Sequence, residues 1–278
     1  MAVALALLAA VCYGVSDYVA GLAAKRGSAT TVGAGVQGSG CALLVLLALT
    51  GGTGSLDARA VTGGAIAGIG TALGTVSLYR GLARGRMGLV APVSAVVAAA
   101  LPVCYSLARG DEVRAAHLAG VVIGVVAVAL VSAGDSGGAG SSVPARVSVI
   151  DGAVAGVGFA VFYIGLDSAN AASAWPPAIA FGVSTVVLLV GLAAQRPPAL
   201  RDRGARGLVL AGGVTGAGAA WLFERSADSG GIAIASVLTS MYPAVTMVLA
   251  ALMLKERYRP VNFVGMAGAL VAIALIAT

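Results

Sequence analysis

Charge is what this chain has least of. Only 10% of its 278 residues are charged, with 17 Lys and Arg, 11 Asp and Glu, and a single histidine. A water-soluble domain carries roughly 25%, so there is too little polar surface here to cover a soluble globule of this size. The basic excess of +6 does not form one tract; it is spread in pairs and triplets such as Lys25-Arg26 and Lys255 to Arg259. Topology signals and lipid headgroup contacts explain that spread, and a nucleic-acid footprint does not. Cysteine is equally scarce. Cys12, Cys41 and Cys104 all fall inside apolar stretches and read as small core hydrophobes, against a disulfide framework or a metal site. There is no Gly-x-x-x-x-Gly-Lys phosphate loop, no Gly-x-Ser-x-Gly and no His/Cys cluster, and His117 sits among charges beside a turn. An enzyme is therefore not expected, nor any cofactor or metal.

What is present is apolar. Hydrophobic residues make up 59% of the chain, and the mean hydropathy is +0.99. Apolar segments fall at about 2–24, 31–50, 61–83, 87–108, 115–134, 148–166, 174–194, 206–227, 231–254 and 260–277. Each is near the roughly 20 residues that carry a helix across the hydrocarbon core. The first lacks a basic leader and ends in Lys25-Arg26, so it reads as a span and not as a cleavable signal. None shows the apolar/polar alternation of barrel strands. The expected fold class is all-α integral membrane, with ten transmembrane helices in a multi-pass protein of the cell membrane.

One gap differs from the rest. Residues 135–147 (DSGGAGSSVPARV) have the composition of a flexible linker and divide the segments five and five, into 1–134 and 148–278. The two parts match at a constant shift of 144 residues, the offset from Thr71 to Thr215. Gly74 then meets Gly218, Tyr79 meets Phe223, Ala91 meets Ala235, Glu112 meets Glu256, Gly124 meets Gly268 and Gly14 meets Gly158. An ungapped shift across five helices reads as internal duplication. With an odd number of spans, the second repeat enters from the opposite side. That gives inverted repeats and a site between them.

Charge counting tests this topology. If loops alternate sides, one side collects Lys25, Arg26, Arg80, Arg84, Arg86, Arg146, Arg196, Arg201, Arg203, Arg206, Lys255, Arg257 and Arg259. The other collects only Arg59, Arg109, Arg114 and Arg225. The positive-inside rule places the larger set in the cytoplasm and both termini outside.

Certain motifs also resemble a known family. Ala-Val-Cys-Tyr-Gly-Val-Ser-Asp-Tyr (10–18) opens the first helix, and helices four and nine end in Glu112 and Glu256. Gly120 and Gly124, then Gly265 and Gly268, lie in the closing helices, and Pro243 follows Ser240-Met-Tyr. In these features the chain is similar to the drug/metabolite transporter superfamily, in particular its EamA-type ten-helix members. It departs where Val157 replaces Tyr13 and Ala99 replaces Pro243 under the shift. The resemblance implies a secondary transporter exporting a drug, amino acid or related metabolite, with protons as a candidate coupling ion. It also implies termini in the cytoplasm, against the charge count, so orientation stays open. Monomer and homodimer both fit, as does a bacterial inner membrane.

Asp17 is the first candidate site residue. A carboxylate at this depth costs several kcal/mol unless it faces a cavity or a partner, which makes it a candidate for substrate or proton binding. Tyr13 lies one turn away on the same face, and Ser16 is adjacent. Small multidrug transporters are similar in pairing a first-helix carboxylate with a Lys eight residues on, as Asp17 and Lys25 are here. The other reading of Asp17 is a structural hydrogen bond to a neighbouring helix. Arg80 and Glu224 are equivalent under the shift and could pair across the two-fold to gate a pathway or bind a zwitterion; snorkelling to the interface accounts for them equally. Glu112 and Glu256 read as interfacial ion pairs. Tyr79, Tyr105, Tyr163, Trp221, Phe223 and Tyr242 could line a cavity, and Pro92, Pro102 and Pro243 could kink its walls. Gly-x-x-x-Gly steps, including 64/68, 70/74 and 212/216, permit close helix approach. Two other functions remain open: an ion or metal-ion permease or channel, and a membrane scaffold with no transport path.

Overall fold

The computed structural model describes the chain outside residues 52–55, 85–86, 111–113, 135–142, 170–172, 198, 231–238, 240, 255–259 and 277–278. Glu112, Glu256 and most of the linker expected at 135–147 lie outside the described residues.

Ten α-helices account for the described chain: α1 (Ala2–Ala24), α2 (Ala29–Gly51), α3 (Ala58–Ala83), α4 (Met87–Arg109), α5 (Ala115–Gly134), α6 (Ala145–Ala169), α7 (Trp175–Gln195), α8 (Arg203–Gly230), α9 (Tyr242–Leu254) and α10 (Pro260–Ile276). Six of them, α1–α3 and α6–α8, are long and apolar enough to cross a membrane; the described apolar parts of the other four are shorter. The sequence segments match these bounds within a turn, except that α9 begins at Tyr242 because 231–238 are outside the described residues. Local chemistry sets several ends. Asp57 caps α3 by accepting from the Ala60 N–H at 2.7 Å. Pro176 and Pro177 open α7, where a missing N–H costs little. Asp202 accepts from the Gly204 N–H at 2.8 Å at the start of α8. That N–H, with the Ala205 N–H and Arg26, holds the Asp202 carboxyl below the usual carboxylate range.

Large apolar side chains face outward along most helices, among them Leu49, Ile69, Val122, Val190, Leu210 and Leu252. The interior is built instead from small residues: Ala6, Ala9, Ala20, Ala23, Ala67, Ala155, Ala180 and Ala217 are buried almost completely. This inversion of the water-soluble pattern suits a bundle solvated by lipid, where close approach of backbones takes over from hydrophobic drive.

The principal packings all join a helix from residues 1–134 to one from residues 145–276. α3 packs most extensively on α6, α1 on α8, and α5 on α10. α4 lies on α6, α1 on α9, α2 on α7 and α8, and α3 on α7. The central core gathers Tyr18, Val36, Leu78, Val90, Ala155 and Val209 from six helices of both parts. Any site at the centre of this bundle is therefore composite.

Candidate functional site

The α3–α6 seam places the strongest electrostatic feature. Asp151, one and a half turns into α6, is only 2% exposed. Arg80, near the end of α3, donates to its Oδ1 from Nε at 2.9 Å and from Nη2 at 2.7 Å. Arg84, one turn on, donates from Nη1 to Asp151 Oδ2. Both carboxylate oxygens are thus engaged by guanidinium groups on one helix face, at i and i+4. Arg80 is therefore committed to Asp151, and the Glu224 side chain expected as its partner lies outside the described residues. A second ion pair, Arg26 Nη1 to Asp202 Oδ2 at 3.2 Å, ties the end of α1 to the start of α8.

Deeper in the bundle, Asp17 is half-buried on α1. It makes no ion pair or hydrogen bond with any described residue, whereas Ser16 beside it donates to the Gly212 carbonyl of α8 at 2.7 Å. The structural hydrogen bond to a neighbouring helix is thus made by the serine. Around the carboxylate stand tyrosines from four helices: Tyr79 of α3, Tyr163 of α6 and Tyr242 of α9 lie within its electrostatic reach. Tyr13 of α1 meets Tyr242 edge-on, ring centroids 6.3 Å apart. Tyr163 packs edge-on against Phe162 at 5.4 Å and keeps 47% of its surface exposed. The Tyr79 hydroxyl lies beside Ser16, and that of Tyr242 lies near the fully buried Ser94, whose Oγ completes no hydrogen bond. On α9, Thr246 bonds the Gly14 carbonyl at 3.3 Å, which fixes α9 against α1 one turn from Asp17.

Of the residues expected at a site, the fold brings together Asp17, Tyr13, Ser16 and Tyr242, with Tyr79 and Tyr163 from the aromatics expected to line a cavity. It does not bring Arg80 into that group. Tyr105 is exposed, and Trp221 packs under Arg225, whose Cζ is 5.5 Å from the ring centroid. Asp151 went unnoticed in the sequence, although it is the one acidic residue in the segment 148–166 and met the criterion that singled out Asp17. Pro92 and Pro102 lie inside α4, and Pro243 is the second residue of α9.

Comparison with known proteins adds a family match to the second part of the chain. Residues 148–278 match the model of the EamA-like transporter family. No curated protein matches the chain. A solved structure described as "Crystal structure of protein" aligns with a TM-score of 0.63 over 97% of each chain at 16% identity, a likeness of fold alone.

Proposed function

With residues 148–278 carrying an EamA-like transporter domain, we propose that the chain is a secondary transporter. It moves a small organic molecule across the cytoplasmic membrane by alternating access, in the export direction, with the proton as coupling ion. The observation that carries this reading is Asp17, a carboxylate without a partner among the described residues, set among tyrosines where the two parts of the chain meet. A scaffold gains nothing from such a group, because an unpaired intramembrane charge is costly.

Inverted repeats over 1–134 and 148–278, joined by a linker at 135–147, support the same mechanism. Under the 144-residue shift the pairing α3–α6 becomes α8–α1, α4–α6 becomes α9–α1, and α3–α7 becomes α8–α2. The pairings α2–α7 and α5–α10 map onto themselves. Packing that exchanges in this way is what a two-fold axis in the membrane plane produces. In this reading the Arg80–Asp151–Arg84 cluster holds the basic end shut. Opening that end separates α3 from α6.

Reconstituted protein is expected to take up its substrate in proteoliposomes in response to a pH gradient, with Asp17→Asn reducing the pH-driven component to background. Unchanged pH-driven transport by Asp17→Asn would remove Asp17 from the coupling mechanism. We place the basic end in the cytoplasm. A cysteine introduced before Ala2 should then react with an impermeant maleimide from outside intact cells; reaction only after lysis would reverse the orientation.

A further inference from the structure

We infer that the chain carries a site for one anionic phospholipid, its phosphate held by Arg206 and an acyl chain lying in a groove between α2, α7 and α8. The inference goes beyond the transport reading and does not depend on it. Three observations carry it.

The first is a cavity. A space of about 590 Å³ lies where α2 begins, α7 ends and α8 begins, bordered by the connection over residues 196–202. That falls within the roughly 300–1,000 Å³ of small-molecule sites. Leu192 of α7, Pro197 and Leu200 of the connection and Leu210 of α8 give it an apolar wall. Among the described residues that line it, Thr31 and Arg206 alone are polar. Leu210 is 59% exposed, so the groove reaches the outer face of the bundle, where lipid chains lie. All three helices are long and apolar enough to cross a membrane, which sets their shared ends at headgroup depth. Asp17 and the tyrosines around it line no part of this space.

The second is the cation at its edge. Arg206 is exposed, in the first turn of α8. Its Nε donates to the Leu200 carbonyl oxygen at 2.8 Å, which fixes the guanidinium plane against the wall of the groove. Neither Nη makes a hydrogen bond or ion pair with any described residue. Both are left to make the parallel bonds that a phosphate accepts.

The third is the local charge. Residues 196–206 hold Arg196, Arg201, Arg203 and Arg206 against one acid, Asp202. That acid is already engaged, by Arg26 at 3.2 Å and by the Gly204 N–H at 2.8 Å. Arg203 precedes Arg206 by three residues, on the same side of α8. Arg196 ends α7 in the left-handed region, φ 44°, where glycine is usual; a guanidinium is kept beside Pro197 at a conformational cost. A basic pocket between spans selects an anionic headgroup. A zwitterionic lipid would bring its ammonium into this excess, and a soluble anion would gain nothing from the apolar wall.

The test is native mass spectrometry of the purified, delipidated full chain, titrated with dioleoylphosphatidylglycerol or dioleoylphosphatidylcholine. These lipids share acyl chains and differ in headgroup charge. Phosphatidylglycerol should bind at least about tenfold more tightly, the weight of one charge-assisted contact. Arg206→Gln should lower its affinity roughly tenfold and leave phosphatidylcholine within about twofold. Ala199→Trp, at an exposed position lining the groove, fills the space without removing a charge and should weaken both lipids about fivefold or more. Arg59→Gln, at the opposite end of the bundle, is the control and should change neither. Soluble glycerol phosphate at millimolar concentration should not displace the lipid. Equal binding of the two lipids, phosphatidylglycerol binding untouched by Arg206→Gln or by Ala199→Trp, or displacement by the soluble phosphate would each overturn the proposal. The first three mean diffuse attraction to basic residues, and the last a phosphate site with no use for an acyl chain. Ala199→Trp leaves Arg206 in place, so the proposal stays falsifiable if Arg206→Gln does not fold.

Discussion

Replacing both Arg80 and Arg84 by leucine is expected to cost about 3–5 kcal/mol of stability, the range for leaving one member of a buried ion pair uncompensated. The reason is an asymmetry within the cluster. The arginine side chains keep 47% and 31% of their surface, whereas that of Asp151 keeps 2%. Without its partners the carboxylate is left in a tightly packed setting, where Gly81 of α3 sits against Val90 of α4 and the Asp151 Cβ. Asp151→Asn should be much milder, about 1 kcal/mol, since the freed guanidinium groups can reach headgroups and solvent. The triple variant Arg80→Leu, Arg84→Leu, Asp151→Leu should recover most of the loss. Denaturant unfolding in detergent micelles measures all three. An ordering in which Asp151→Asn costs more than the double arginine variant would show that the arginines, and not the carboxylate, are the stranded charges.

The same cluster shows where sequence reading stopped. Helix number and bounds were legible because hydrocarbon thickness imposes a length that each apolar run has to meet. Asp17 and its neighbours Tyr13 and Ser16 were legible because they lie on one helix, where spacing alone sets proximity. Partners on different helices were not. Arg80 pairs with Asp151, 71 residues away, and the shift that equated Arg80 with Glu224 says nothing about which helix α3 touches. Tyr163 reaches Asp17 only because α6 crosses α3 at a glycine-lined seam, and composition could not single it out among the aromatics. Chemistry that joins different helices needed the packing.

That seam makes the last prediction the most severe. A Cβ on Gly158 would stand 2.6 Å from the Gly70 carbonyl oxygen and 2.7 Å from Gly74 Cα. Conversely, a Cβ on Gly70 would stand 2.5 Å from the Gly158 carbonyl oxygen and 2.8 Å from the Phe162 nitrogen. Backbone faces backbone, so no side chain can swing aside to make room. A methyl here has to push α3 and α6 apart, and with them the contact about two turns along, where Gly63 meets Gly165 and Ala169. Gly158→Val is therefore expected to exceed the about 3 kcal/mol of ordinary overpacking and to abolish recovery of monodisperse protein. Gly158→Ala should show a weaker form of the same defect. The control is Gly218, the shift-equivalent of Gly74: among the described residues, no atom lies within 4 Å of a Cβ placed there. Gly218→Ala should leave stability within about 1 kcal/mol of the parent, as removing a helical glycine does at an open position. Fluorescence-detected size exclusion after a heating series separates the outcomes. Equal tolerance at Gly158 and Gly218 would mean that α3 and α6 do not meet backbone to backbone, and the seam that carries Asp151 to its arginines would have to be redrawn.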